Sequence, residues 1–263
     1  MKQSLIIAAA LCVTLSAACS FAGEWKSGIE WKEPPVVNPG PETAPANIPS
    51  DAVVLFDGKD MSAWNNGENW KVTDGVVSSG RGFVESKQTF GSIQLHVEFA
   101  TPSEVKGSSQ GRGNSGVFYG PYEIQVLDSY DNKTYYDGQC GSLYKQNPPM
   151  ANVCRKPGEW QSYDIIFMRP LFDAEGKLTK PGYVTVFQNG VLIQNHLQIK
   201  GETAWHEPPV YRDKSDKLPV RLQDHGNPVR FRNIWLREIP DSPVQPVEEN
   251  SPVKPVDVFG SQD

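Results

Sequence analysis

The sequence predicts an all-β protein built as two antiparallel sheets packed into a sandwich. Three observations predict it. Gly (23) and Pro (22) recur along all 263 residues, so no long stretch escapes a turn former. Apolar and polar residues alternate over short runs, most cleanly in Ile93-Gln94-Leu95-His96-Val97-Glu98-Phe99, as a half-buried strand requires. Helical periodicity of useful length is missing throughout, and roughly a dozen short strands separated by turns fit a sandwich.

The N-terminus reads as an export signal. Lys2 precedes an apolar run over residues 5–18 that is too short to span a bilayer comfortably. Small residues Ser20 and Ala22 favour cleavage near Ala22, which predicts a periplasmic or secreted protein. The alternative is a lipoprotein acylated on Cys19, against which Leu15 sits one position too early for a good lipobox. Residues 23–50 carry six prolines (Pro34, Pro35, Pro39, Pro41, Pro45 and Pro49) and read as a linker or a strap over the domain. Trp25 and Trp31 suggest that part of it docks. A single domain is expected over 51–240, followed by a disordered tail of Pro, Val and acid over 241–263. The net charge of −6 argues against a nucleic-acid partner.

Within the domain, residues 53–56 form a short apolar strand. Asp74-Gly75 and Asn189-Gly190 are two-residue hairpin turns between alternating runs. A Gly/Ser-rich loop over 106–113 leads into a strand at 115–119. Residues 129–157 form a long loop containing Cys140 and Cys154, the two cysteines of the mature chain. In an oxidising compartment a disulfide between them is expected, worth about 3 kcal/mol. Strands follow at 160–168, 183–187, 191–195, 220–225 and 229–239.

The strand that organises the rest is Tyr122-Glu123-Ile124-Gln125-Val126-Leu127-Asp128. Ile124 and Val126 point one way and Glu123 and Gln125 the other. Leu127 and Asp128 fit the same two-sided pattern if the strand kinks or bulges near its end, and a Glu, a Gln and an Asp on one short strand suggest the floor of a polar cleft. A solvated outer strand is the plainer reading. Arg221, Gln223 and His225 likewise share one face if their strand stays regular.

Several motifs then fall in order: Leu55-Phe56-Asp57-Gly58-Lys59 with Trp64, Gly113-Asn114-Ser115-Gly116-Val117 before the Glu-x-Gln-x-x-Asp strand, Gly158-Glu159-Trp160, Asn189-Gly190, Leu222-Gln223-Asp224-His225-Gly226, and Phe231-Arg232-Asn233-Ile234. Together they resemble the 3-keto-disaccharide hydrolase family, over about 51–240. Gln161 after Trp160 and the cysteine-bearing loop depart from that pattern. The resemblance implies a concanavalin-like jelly-roll sandwich and work on sugars whose C3 hydroxyl has been oxidised to a ketone. Such a glycoside can lose its acidic C2 proton, eliminate its C1 substituent and take up water. That route needs a base, a partner for the enolate oxygen and an acid.

Glu123, His225 and Asp128 are the candidate acids and bases. No cofactor is certain, though Glu123 and His225 are also candidate ligands for a divalent cation. Candidate substrate contacts are Gln125, Asn114, Gln223 and Arg221, with Lys145 and Arg112 reaching from loops. Tyr119 and Trp205 are the favoured stacking aromatics, ahead of Tyr122 and Tyr144, and His96 is expected on an outward polar face. The expected partner is a small carbohydrate, with a sugar 3-oxidoreductase acting alongside. No membrane-spanning segment is expected. Two further readings stay open: a lectin-like module without catalysis, and a retaining glycosidase, since the central strand echoes the Glu-x-Asp-x-x-Glu strand of laminarinase-type glucanases.

Overall fold

The computed structural model describes residues 23–42 and 44–242. The export signal at 1–22, Cys19 and most of the tail, 243–263, lie outside the described residues. Fifteen strands appear among those described: β1 (Val53–Phe56), β2 (Trp64–Asn65), β3 (Lys71–Thr73), β4 (Val76–Ser78), β5 (Val84–Phe90), β6 (Ile93–Ala100), β7 (Ser115–Tyr119), β8 (Tyr122–Val126), β9 (Gln161–Met168), β10 (Leu171–Phe172), β11 (Leu178–Lys180), β12 (Tyr183–Gln188), β13 (Val191–Gln198), β14 (Leu218–Leu222) and β15 (Arg230–Glu238). The larger sheet runs β13-β12-β9-β6-β15-β4-β3, with β1 also paired to β15. The smaller runs β2-β5-β14-β7-β8, and β10 pairs with β11 in a separate ribbon. Neighbours within both sheets are antiparallel. The architecture is the all-β sandwich of two antiparallel sheets expected from the sequence.

The period-2 pattern accounts for the core. Val117, Tyr119, Tyr122, Ile124 and Val126 of the smaller sheet are fully buried, as are Leu95, Val97, Phe99, Tyr163 and Phe167 of the larger. Rings meet across the interior, Tyr119 against Phe167 with centroids 5.3 Å apart. Burial of each such side chain contributes roughly 1.5–3 kcal/mol. Both hairpin turns carry the positive φ that a type I′ turn demands: 51° at Asp74 and 77° at Gly75, 53° at Asn189 and 79° at Gly190.

Three expectations change. Strand β5 was not anticipated, because Val84-Glu85-Ser86-Lys87-Gln88-Thr89-Phe90 is mostly polar; it forms because it lies between β2 and β14. Strand β14 stops at Leu222 rather than at His225. Gln223 N–H still donates to Gly116 O at 3.1 Å, but Asp224 Oδ1 accepts from Gly226 N at 2.9 Å and turns the chain out of the sheet. The third concerns the cysteines. Cys140 and Cys154 are buried thiols and no disulfide joins them. They share a polar niche in which Gln188 Nε2 lies 3.5 Å from each sulfur and Tyr163 Oη 3.0 Å from Cys140 Sγ. Hydrogen bonds anchor their loop instead, Ser129 Oγ accepting from Cys140 N and Ser129 O from Asn152 Nδ2.

Part of the segment ahead of β1 lies across the larger sheet. Pro35 and Val37 bond to the backbone of Asn152. Arg155 donates to Gly40 O and Pro41 O, and Ala46 N–H donates to Glu98 Oε1 at 3.0 Å. His96 faces away from the core as its strand position requires, but it is 2 % exposed rather than on an open face. Trp235 stacks on it, and Asp164 Oδ1 sits 2.7 Å from its Nδ1. Burial opposes its protonation, and hydrogen bonds to Asp164 and Glu98 outweigh it, holding the imidazole up at about 9.

Candidate active site

Three neighbouring strands of the smaller sheet build the floor of the site. Glu123 lies opposite Phe118 and Phe118 opposite Arg221, so β8, β7 and β14 contribute one row. The next row runs from Gln125 through Gly116 to Gln223. These side chains alternate with core residues and therefore face away from the interior. Above them opens a cavity of about 740 Å³, lined by Glu123, Gln125, Asn114, Arg221, Gln223 and His225 among others.

Gly116 shapes this floor. A Cβ there would stand 2.5 Å from Glu123 Oε1 and 2.6 Å from the Phe118 ring. The carboxyl of Glu123 thus rests in space that only glycine leaves. Glu123 is 5 % exposed. Burial pushes its carboxyl up to about 8, against a smaller opposing pull from Arg221. Gln125 points the same way. Its Nε2 donates to Gln110 Oε1 at 2.9 Å, while Gln110 Nε2 is committed to Thr134 Oγ1 and Gly138 O. That leaves Gln125 Oε1 facing two oxygens at 3.0 Å, Glu123 Oε1 and the Ser115 carbonyl. Turning the Gln125 amide over lets its nitrogen donate to both, while setting two oxygens against each other at Gln110. Burial is what favours the neutral carboxyl.

Arg221 lies over Phe83, its guanidinium carbon 4.4 Å from the ring centroid. Its Nε is 3.5 Å from Glu85 Oε2 without the alignment of a hydrogen bond, so it keeps an uncommitted donor. Asn114 is anchored through Nδ2 to Gln110 O at 2.7 Å, and its buried Oδ1 has no partner. Both groups can bind a polar ligand. His225 and Trp205, the latter 48 % exposed, also line the cavity and are open to solvent. Tyr135 and Tyr144 complete one wall, their hydroxyls 2.6 Å apart. Burial raises Tyr135 to about 12.

Five expected site residues sit elsewhere. Asp128 is locked to Arg112 Nε at 2.6 Å, and both line a separate cavity of about 150 Å³. Strand β8 ends at Val126, so no kinked continuation carries Asp128 to the Glu123 face, and its N–H bonds to Arg112 O instead. Tyr119 belongs to the core; its hydroxyl donates to Gly91 O at 2.7 Å, and no ring face is open for stacking. Tyr122 is buried beside it. Lys145 is buried behind the wall, with its ammonium 2.8 Å from Glu24 Oε1 and 4.4 Å above the Tyr135 ring. Conversely, Gln110, Phe118, Phe83, Tyr135 and Glu24 line the cavity without having been singled out. Alternation in β7 would have placed Phe118. The other four come from loops and from the segment ahead of the domain, where no period points inward.

For a cation, Glu123 and His225 do line one cavity, but among the described residues no group of three or more His, Cys, Asp or Glu side chains is placed to hold one. A cation bound there would draw most of its shell from ligand and water. No helix among the described residues is long and apolar enough to cross a membrane.

Comparison with known proteins gives a consistent result. Residues 51–237 match the family model of the 3-keto-alpha-glucoside-1,2-lyase-like domain. A crystal structure named as a glycosyl hydrolase from Parabacteroides distasonis ATCC 8503 is 47% identical, with a TM-score of 0.71, covering 81% of this chain and 95% of that one. A second so named from the same organism, 23% identical over 72% of this chain and 94% of that one with a TM-score of 0.54, shares the fold. No curated protein matches the chain. This chain belongs to the 3-keto-alpha-glucoside-1,2-lyase-like family, a family of carbohydrate-active domains.

Proposed function

We propose that this protein is an exported enzyme that cleaves 3-keto-glycosides by elimination and hydration. The observation that carries the reading is the buried carboxyl of Glu123, which burial pushes up to about 8, in the same cavity as Arg221 and His225. A carboxyl kept protonated near neutral pH is an acid in waiting. His225 takes the C2 proton. The electron pair moves into the C3 carbonyl, and the oxygen gains negative charge opposite the Arg221 guanidinium. The C1–O bond then breaks, its electrons go to the leaving oxygen, and Glu123 delivers the proton. Water next adds its oxygen to C1 of the enone and gives one proton to the Glu123 carboxylate, while His225 returns to C2 the proton it had taken. Both groups end as they began, and the net change is hydrolysis. Asn114, Gln125 and Gln223 hold sugar hydroxyls. The substrate requires prior oxidation at C3, so a sugar 3-oxidoreductase must supply it.

A retaining glycosidase needs two carboxyl groups about 5–5.5 Å apart. The second carboxylate in this cavity, Glu24, is tied to Lys145, which weighs against that route. A lectin-like module is the stronger rival, because the polar floor and Trp205 suit simple binding too. Incubation with a chromogenic glucoside and with its 3-keto derivative, with and without chelator, separates the three. Release from the keto compound alone is expected. His225→Ala should lower its turnover by about 10²–10⁴-fold without altering cooperative melting. Near-normal rates in both Glu123→Gln and His225→Ala would remove the assignment.

A further inference from the structure

The family match begins at residue 51, yet the cavity wall includes Glu24. The segment carrying it is tied down on two sides. Trp25 N–H donates to Trp205 O at 2.9 Å, and Glu24 Oε1 accepts from Lys145 Nζ at 2.8 Å. Lys145 is 3 % exposed, with Asp137 Oδ1 at 3.9 Å as its other carboxylate neighbour. A buried ammonium with so few partners holds its acceptor firmly. One oxygen of Glu24 is therefore fixed, and the other remains for a ligand. Trp205, next to it on the wall, offers an open ring face.

A carboxylate beside an aromatic face is a sugar-binding pair: one accepts from hydroxyls, the other covers the apolar C–H face. Glu123 rises from the sheet floor and His225 from the turn after β14, whereas Glu24 and Trp205 come from segments outside the sheet, which suits them to a part of the ligand other than the reacting bond. We infer that Glu24, together with Trp205, forms a subsite for the second sugar ring of a disaccharide substrate. The domain proper lacks this subsite, and the segment ahead of it supplies the charged half. The inference rests on the 3-keto-glycoside reading and makes Glu24 a specificity-determining residue.

The test uses the full-length exported protein with Glu24→Ala and Glu24→Asp. Two substrates are compared: a 3-keto disaccharide, and a chromogenic aryl 3-keto-glucoside that has no second sugar. Glu24→Ala should raise KM for the disaccharide about 10-fold or more with kcat little changed, because the lost contact exists in ground and transition states alike. Its effect on the aryl substrate should stay within about 2–3-fold, and Glu24→Asp should recover part of the loss. A purely structural role through Lys145 would shift both substrates together, and that result, or no shift in either, overturns the subsite. If wild type turns over neither keto compound, the reaction assignment fails by itself. Calorimetric titration of the disaccharide into wild type and Glu24→Ala then decides the subsite: weaker binding to the variant supports it, and equal affinity ends it.

Discussion

Replacing Glu123 with Gln tests the electrostatics of the site directly. The exchange keeps shape and removes ionisation. Folding raises this carboxyl from its ordinary 4.5 to about 8, so between those values the folded chain holds a proton that the unfolded chain releases. The unfolded state binds fewer protons, and wild-type stability falls as pH rises through the window. One unit of pKa difference corresponds to about 1.36 kcal/mol. Integrated from about pH 5 to about pH 8, wild type should lose roughly 3 kcal/mol relative to Glu123→Gln. For a domain of this size that is a change of about 6–12 °C in the gap between their melting temperatures. Melting both proteins across that range reads the slope of the difference. Titration of every other group cancels, and any constant offset from the new amide does not affect the slope. A gap that stays flat with pH would refute a neutral, buried Glu123, and with it the acid role. Turnover by the variant should fall steeply at every pH.

Three other changes probe the surroundings. Gly116→Ala drives a methyl into the Glu123 carboxyl and the Phe118 ring; it should cost about 1–3 kcal/mol in denaturant melts and lower kcat at least tenfold, and a variant of wild-type activity would show that Glu123 does not depend on that space. Tyr119→Phe removes the hydroxyl bonded to Gly91 O and should cost about 1 kcal/mol of stability while leaving KM unchanged; a raised KM would return Tyr119 to the site. His96 gains stability from its charged form: its folded pKa of about 9 lies above the ordinary 6.5, so the contribution is complete below about pH 6.5 and lost as pH rises through about 9. Melting of His96→Asn beside wild type should show their gap narrowing over that rise, and a constant gap would mean that the imidazole stays neutral beneath the strap.

Much of the site was legible because β-strands report orientation through a period of two. Glu123 and Gln125 had to leave opposite Ile124 and Val126, and Arg221 had to share a face with Gln223. Asp128 alternates with Ile124 and Val126, so its place on the polar face depended on a kink near the strand end, and β8 ends at Val126. Tyr119, two positions from Val117, faces the core with it as the same rule requires. The cysteine pair was inferred from compartment and count, and neither reports how two sulfurs meet.

The sequence alone determined the all-β class, the hairpins and the polar faces of single strands, since each depends on residues a few positions apart. Which strands lie side by side depends on pairings between distant segments, and only the tertiary structure decided it. Those pairings set Glu123 in one row with Arg221, gave its carboxyl the gap left by Gly116, and sent Asp128 to Arg112 instead. Burial followed from the same assembly. A carboxylate in sequence is only an acid of ordinary strength, and burial beneath the loops raises it once the sheet has assembled.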